Sequence, residues 1–74
     1  MKDIELNTTW IHGKYTIGGE AVEINTAISY VSIGDRFFAQ GDEADKIINE
    51  IHRYWLQYNV RVSGAIEYWI KSNL

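Results

Sequence analysis

Residues 42–58 carry the apolar pattern that most constrains how this chain can fold. At about 100° of helical rotation per residue, their apolar side chains fall within an arc of roughly 100°, and polar side chains fall on the opposite side. The apolar set is Ala44, Ile47, Ile48, Ile51, Trp55 and Tyr58. Because one apolar face needs a second layer to cover it, the pattern predicts a helix packed on another element.

The ends of this segment also have the residues expected of helix termini. Asp42, Glu43 and Asp45 lie in the first turn, where carboxylates interact favourably with the positive end of the helix dipole. Asp42 and Lys46 form an i,i+4 pair in the favourable order. Asn59 suits the left-handed conformation that closes many helices. We therefore predict a helix over residues 42–58.

The first third of the chain favours β-structure. Residues 4–11 alternate between two faces, with every second residue from Ile4 to Trp10 on one of them, as in a half-exposed strand. A glycine pair at 18–19 then separates two β-forming segments. Adjacent glycines allow positive φ without steric cost, so they predict a tight hairpin at this point.

Two segments of the chain echo each other. Residues 22–31 read VEINTAISYV and residues 60–69 read VRVSGAIEYW. Each resembles a short extended entry, a capping residue and a helix that buries an Ala-Ile pair. In the second copy Ser63 would be the N-cap of a final helix over residues 62–73.

Applied to the first copy, the echo favours a short helix over residues 26–33. Asn25 would be its N-cap, and Gly34 would take the left-handed position after its end. The alternative follows from propensity, since Val, Ile, Thr and Tyr favour strands. In that alternative a strand ends at a hairpin formed by Gly34 and Asp35, and residues 36–40 return beside it.

Together these elements predict an α+β fold in a single domain over residues 1–74. An N-terminal antiparallel β-hairpin or three-stranded sheet covers about residues 3–24, and helices over residues 26–33, 42–58 and 62–73 pack on it. The predicted core is apolar and consists of Ile4, Leu6, Val22, Ile24, Ile28, Val31, Phe37, Ile47, Ile48, Ile51, Trp55, Val62, Ile66, Trp69 and Ile70.

Composition and charge narrow the classes of function. The chain has no Cys, which excludes disulfides and thiolate metal sites. Its net charge is −3 and its basic residues stand singly, so nucleic acid is not expected as a direct ligand. Residues 1–10 hold no apolar stretch resembling a signal peptide, and no segment is long enough to cross a bilayer. The expectation is a cytoplasmic protein that does not contact membranes.

The sequence carries no catalytic or ligand-binding signature. His12 and His52 lack the spacing of paired metal ligands, and His52 is expected on the flank of helix 42–58. The serines are not part of a nucleophile elbow. The glycine pair at 18–19 is followed by Glu20, which would repel phosphate. We therefore predict no catalytic residue, no cofactor, no metal and no enzymatic activity.

The aromatic residues give the one functional lead. A domain of 74 residues with three Trp, five Tyr and two Phe is expected to leave some of them exposed. Exposed Tyr and Trp are enriched at binding hot spots. Acidic side chains on helix 42–58 would attract a partner that has a basic surface. The candidate partner-binding residues are Trp10, Tyr30, Asp42, Glu43, Asp45, Glu50, Tyr54 and Tyr68. The alternative for the tyrosines is ordinary half-buried packing with the hydroxyl in water.

Residues 36–51 read RFFAQGDEADKIINEI, an aromatic pair followed by a glycine and an acidic helix start. This segment resembles a stretch found in short uncharacterised accessory proteins of phages and other mobile elements. Such proteins are often binders that block a host defence or regulatory factor. The resemblance implies steric occlusion rather than chemistry, and it carries over no functional residue.

The sequence thus favours a small protein-binding module that acts in the host cytoplasm as an inhibitor, by steric occlusion of a host protein. The alternative is a homo-oligomer, such as a homodimer, with a structural or nucleic-acid-associated regulatory role. Self-association would then cover the aromatic residues.

Overall fold

The computed structural model describes residues 9–74, with the side chain of Thr9 excepted, and shows a four-stranded antiparallel sheet followed by two helices. The predicted α+β fold is confirmed. After a 3-10 turn at Thr9–Ile11, the elements are β1 (Gly13–Ile17), β2 (Glu20–Asn25), β3 (Tyr30–Ile33), β4 (Phe37–Gln40), α1 (Asp42–Tyr58) and α2 (Val62–Asn73).

The strands form a meander in the order β1-β2-β3-β4. Tyr15 pairs with Val22, Val22 pairs with Ile33, and Ile33 pairs with Phe37, so these residues share one face of the sheet. The glycine pair at 18–19 has φ of 57° and 85° and joins β1 to β2. The hairpin predicted there is confirmed.

The helix predicted over residues 26–33 is wrong. Strand β2 continues to Asn25, residues 26–29 form a turn, and β3 begins at Tyr30. Asn25 is not an N-cap, because its Oδ1 accepts the Ala27 N–H at 3.0 Å within the turn. The alternative of a strand, a turn after Ile33 and a returning strand agrees with the structure.

The difference has a physical reason in the pairing of this segment. Val31 and Ile33 alternate with polar neighbours and are each 1% exposed, because β2 and β4 flank β3 on both sides. A helix at this position would lack the main-chain hydrogen bonds that β3 makes with β2 and with β4. The echo with residues 60–69 is therefore one of composition, since its first copy is strand and turn and its second copy is helix.

Both remaining helices begin and end where the sequence predicts. Asn59 closes α1 with φ 52° and ψ 47°, and its N–H donates to the Trp55 carbonyl. The cap predicted for α2 is wrong, because Arg61 is the N-cap residue and makes no side-chain capping hydrogen bond. Ser63 lies inside the first turn of α2.

The core lies between the helices and the inner face of the sheet, the face that carries Val22 and Ile33. Most predicted core residues are buried, whereas Phe37, Trp55, Val62 and Ile70 are half-buried. The prediction that Ile28 belongs to the core is wrong, because Ile28 is 59% exposed in the turn before β3. Ile4 and Leu6 lie outside the described residues. Buried apolar residues missing from the prediction are Ile11, Ile17, Ile33, Ala39, Ala44 and Ala65.

The strand predicted over residues 4–11 falls mostly outside the described residues. Its described end is the 3-10 turn at Thr9–Ile11 rather than a strand. Ile11 is fully buried in the core, and its carbonyl accepts a hydrogen bond from the Tyr15 hydroxyl. This turn therefore holds the entry to β1 against the core.

The outer face of the sheet, opposite the helices, is not covered by any element of the described part of the chain. Register places on it Lys14, Thr16, Ala21, Glu23, Asn25, Tyr30, Ser32, Phe38 and Gln40. Small side chains at its middle leave a shallow cleft of about 470 Å³. The molecule thus has two layers and presents one bare sheet surface.

Candidate functional site

Three tyrosines stack at the seam between the two helices. Tyr54 and Tyr58 come from α1, where i,i+4 spacing places one above the other, and Tyr68 comes from α2. Ring centroids are 6.0 Å apart for Tyr54–Tyr58, 6.2 Å for Tyr54–Tyr68 and 4.5 Å for Tyr58–Tyr68. The ring planes lie within 22° of parallel. We call this group the tyrosine stack.

The rings of the tyrosine stack face solvent. Tyr58 is 44% exposed, Tyr68 is 40% exposed, and Tyr54 is half-buried. Aromatic rings normally lose most of their accessible surface on folding because each buries a large apolar area. A stack that keeps much of its surface in water is therefore the clearest candidate for a binding surface on the helices.

One side-chain hydrogen bond joins the two helices beside the tyrosine stack. The Trp69 Nε1–H donates to Glu50 Oε1 at 2.7 Å, from the residue after Tyr68 on α2 to the residue four before Tyr54 on α1. Gly64 acts locally at the start of α2, because a Cβ there would lie 3.1 Å from the Cβ of Val60 in the connection before that helix. The hydrogen bond therefore holds together the two helices that carry the rings.

Glu50 borders the tyrosine stack and was one of the predicted partner-binding residues. It lies one turn before Tyr54 on α1 and lines a shallow cleft with Arg53, Tyr54 and Gln57. The structure therefore brings together Glu50, Tyr54 and Tyr68 from the predicted set. Tyr58 is absent from the predicted set, because its position on the apolar stripe of α1 gives no sign that the side chain is exposed.

The other predicted acidic residues lie at the opposite end of α1. Asp42, Glu43 and Asp45 occupy its first turn and are exposed. At 1.5 Å per residue, Asp42 is about 18 Å along the helix from Tyr54. Asp45 has an internal partner, since its Oδ1 accepts a hydrogen bond from the Ser29 Oγ at 2.7 Å. This bond ties the turn before β3 to the start of α1.

Tyr30 lies on the outer face of the sheet, away from the tyrosine stack. Its ring packs edge-on against Phe38, with centroids 5.2 Å apart. Phe38 is 57% exposed and was absent from the predicted set. The alternation of β4 was the available signal, because an inward Phe37 requires an outward Phe38.

Trp10 is part of the packing around α1 rather than of an exposed patch. Its ring lies 4.7 Å from Trp55 and 5.3 Å from His52 between centroids, and it is half-buried. His52, expected on the helix flank, is only 6% exposed. Burial lowers the pKa of its imidazole, and its Nδ1 has no hydrogen-bond partner among the residues that the structure describes.

No group of three or more potential metal-ligating side chains occurs within residues 9–74. None of the helices described has both the length and the apolar character required to span a membrane. Comparison of the chain with protein-family models, with curated proteins and with solved structures found no match. The surfaces described above are therefore the basis for a functional argument.

Proposed function

We propose that this chain is a small protein-binding module and that the tyrosine stack is its principal contact. The observation that supports this is the placement of three near-parallel phenol rings at the helix seam, two of them at least 40% exposed. Tyrosine offers a rigid apolar ring and a hydroxyl, which is why it is enriched at interface hot spots.

The chemistry around the stack favours a partner with basic side chains. Tyr54 and Glu50 line the same shallow cleft, so an arginine bound there could stack on the tyrosine ring and pair with the carboxylate. The chain carries a net charge of −3, and the acidic first turn of α1 adds to the negative electrostatic field around it. Such a field accelerates encounter with a positively charged surface more than it adds affinity.

The proposed mode of action is steric occlusion of a host protein in the host cytoplasm. It draws on the resemblance of residues 36–51 to accessory proteins of mobile elements. A small rigid body can cover a functional surface of its target without any reaction of its own. Inhibition would then follow occupancy of the partner and would not show turnover.

Affinity capture from host lysate at low salt tests the proposal. The double variant Tyr58→Ala/Tyr68→Ala removes the exposed rings, whereas Leu56→Ala is the matched control. Leu56 is 53% exposed on the same helix but lies on its other side. Thermal unfolding of each variant shows whether its fold is retained.

We expect the wild type and Leu56→Ala to capture the same host protein and to retain it through washing at low salt. The double variant should bind it at least about tenfold more weakly, a loss of about 1.4 kcal/mol. Equal retention by the wild type and the double variant would remove the tyrosine stack from the interface. Failure to recover any protein at low salt would contradict the binding function itself.

A further inference from the structure

Strand β4 is an edge of the sheet without the usual protection. No strand among the described residues pairs on its far side. Its sequence, Phe-Phe-Ala-Gln, contains no charged residue and no proline. Edge strands normally carry such residues because unpaired N–H and C=O groups invite pairing with another chain. The opposite edge, β1, does carry a charge at Lys14, and α2 packs near it.

The hydrogen bonds of β3 identify which main-chain groups of β4 are free to pair. The Gly41 N–H donates to the Ser29 carbonyl at 2.9 Å, in the same register that pairs Tyr30 with Gln40. Hydrogen-bonded pairs alternate along an antiparallel ladder, so Ala39 and Phe37 also bond to β3. The N–H and C=O groups of Phe38 and Gln40 must therefore point away from the sheet.

From this alternation we infer that β4 pairs antiparallel with β4 of a second copy of this chain, about a two-fold axis at Ala39. Phe38 of each copy then lies opposite Gln40 of the other. Each such pair exchanges two main-chain hydrogen bonds, so all the outward groups of Phe38 and Gln40 are satisfied. The result is a continuous eight-stranded sheet with the helices of both copies on one face.

The neighbouring register is disfavoured by a contact within the chain. A two-fold axis at Phe38 would require the Arg36 N–H to donate to Gln40 of the other copy. That N–H already donates to the Ile33 carbonyl at 3.0 Å in the turn before β4. The register centred on Ala39 needs no donor that the monomer already uses.

Side chains at the edge are complementary in the same register. On the outer face, the two Phe38 rings become diagonal neighbours, within reach of aromatic side chains. Tyr30, already packed on Phe38, extends the aromatic patch in each copy.

Sedimentation velocity over a concentration series tests this pairing. Four strand residues form a small joint, so we expect a reversible dimer with a dissociation constant in the micromolar range. Gln40→Pro deletes one outward N–H that β3 does not use, and proline is tolerated at such edge positions. Phe38→Lys adds a charge of the kind that protects natural edges. Each variant should raise the dissociation constant by about tenfold or more.

Thr16→Lys is the matched control, because it places the same charge at an exposed outer-face position of the other edge strand. It should dimerise as the wild type does, and so should Tyr58→Ala/Tyr68→Ala, which keeps this test separate from that of the tyrosine stack. If the wild type remains monomeric at a concentration of about 100 μM, the inference is overturned. A dimer that Gln40→Pro and Phe38→Lys leave unchanged would also overturn it. The same holds if β4 pairs only with a strand of another protein and not with a second copy of this chain.

Discussion

The Trp69 indole donates its N–H to the Glu50 carboxylate at 2.7 Å, and this hydrogen bond joins α2 to α1 next to the residues of the tyrosine stack. Trp69 is only 3% exposed, whereas Glu50 is exposed. One residue thus satisfies a buried donor and presents a carboxylate at the candidate binding surface. Its two roles can be separated by substitution.

Glu50→Ala should lower the free energy of unfolding by about 1–2 kcal/mol, because it leaves the buried Trp69 N–H without its acceptor. Glu50→Gln keeps an acceptor oxygen and should cost less than half as much. Urea denaturation monitored by tryptophan fluorescence gives both values. If the two variants lost the same stability, the charge of Glu50 rather than its hydrogen bond would be responsible.

Stability should fall as the pH is lowered through the ordinary histidine pKa, because of His52. Its unfolded pKa is near the ordinary value of 6.5, and burial lowers the folded pKa below that value. The unfolded state therefore binds the proton first, so the stabilisation is complete above the unfolded pKa and declines as the pH falls toward the folded pKa.

His52→Leu should flatten this pH dependence, since it removes the titrating group that packs against Trp10 and Trp55. His12→Gln is the control, because His12 is the only other histidine and is exposed. Urea midpoints measured at several pH values test both variants. A slope that persisted in His52→Leu would assign the effect to another group.

Gly34→Ala should destabilise the protein more than Gly18→Ala. Both glycines have positive φ, of 53° and 57°, so each alanine costs about 1 kcal/mol in backbone strain. Only at Gly34 would the new Cβ also collide with the Glu20 carboxylate, which pairs with Arg36 at 2.7 Å. An exposed pair of this kind adds up to about 1 kcal/mol.

The comparison of these two alanines can be repeated in a Glu20→Ala background. There the excess cost of Gly34→Ala should disappear, because the carboxylate that it displaces is absent. Thermal unfolding of the five variants measures the difference. A persistent excess would place its origin in the backbone at Gly34 and not in the contact with Glu20.

Ile28→Ala should change the free energy of unfolding by less than about 0.5 kcal/mol, as expected of an exposed side chain. Ile24→Ala should cost about 2–4 kcal/mol, because Ile24 is 1% exposed and its removal leaves a cavity. Chemical denaturation of the two variants provides a direct check on the turn at residues 26–29. Comparable losses would instead support a helix that buries Ile28.

The helices could be predicted because their evidence is local. The stripe of α1 repeats over 17 residues, and its acidic start and Asn59 mark both ends within the segment itself. The segment around Ile28 and Tyr30 could not be assigned in this way. Its local residues fit a capped helix as well as a strand, and the outcome depends on pairing with β2 and β4.

The candidate surface was predictable in part for the same reason. Tyr54 and Tyr68 could be recognised as lying off the apolar faces of their own helices. That they meet depends on the packing of α2 against α1, to which the bond between Trp69 and Glu50 contributes. Such contacts between helices have no counterpart in the spacing of either helix alone.

The meander order of the strands has a consequence for how the chain folds. Each strand of the sheet pairs with the one that precedes it in the sequence, so β-pairing requires only the closure of short loops. Topologies of this kind fold fast for their size, because little chain entropy is lost before contacts form. The contact between α2 and β1 is the exception, since it joins the two ends of the described chain. We therefore expect α2 to dock late, after the hairpins, and mutations on its buried face to speed unfolding more than they slow folding.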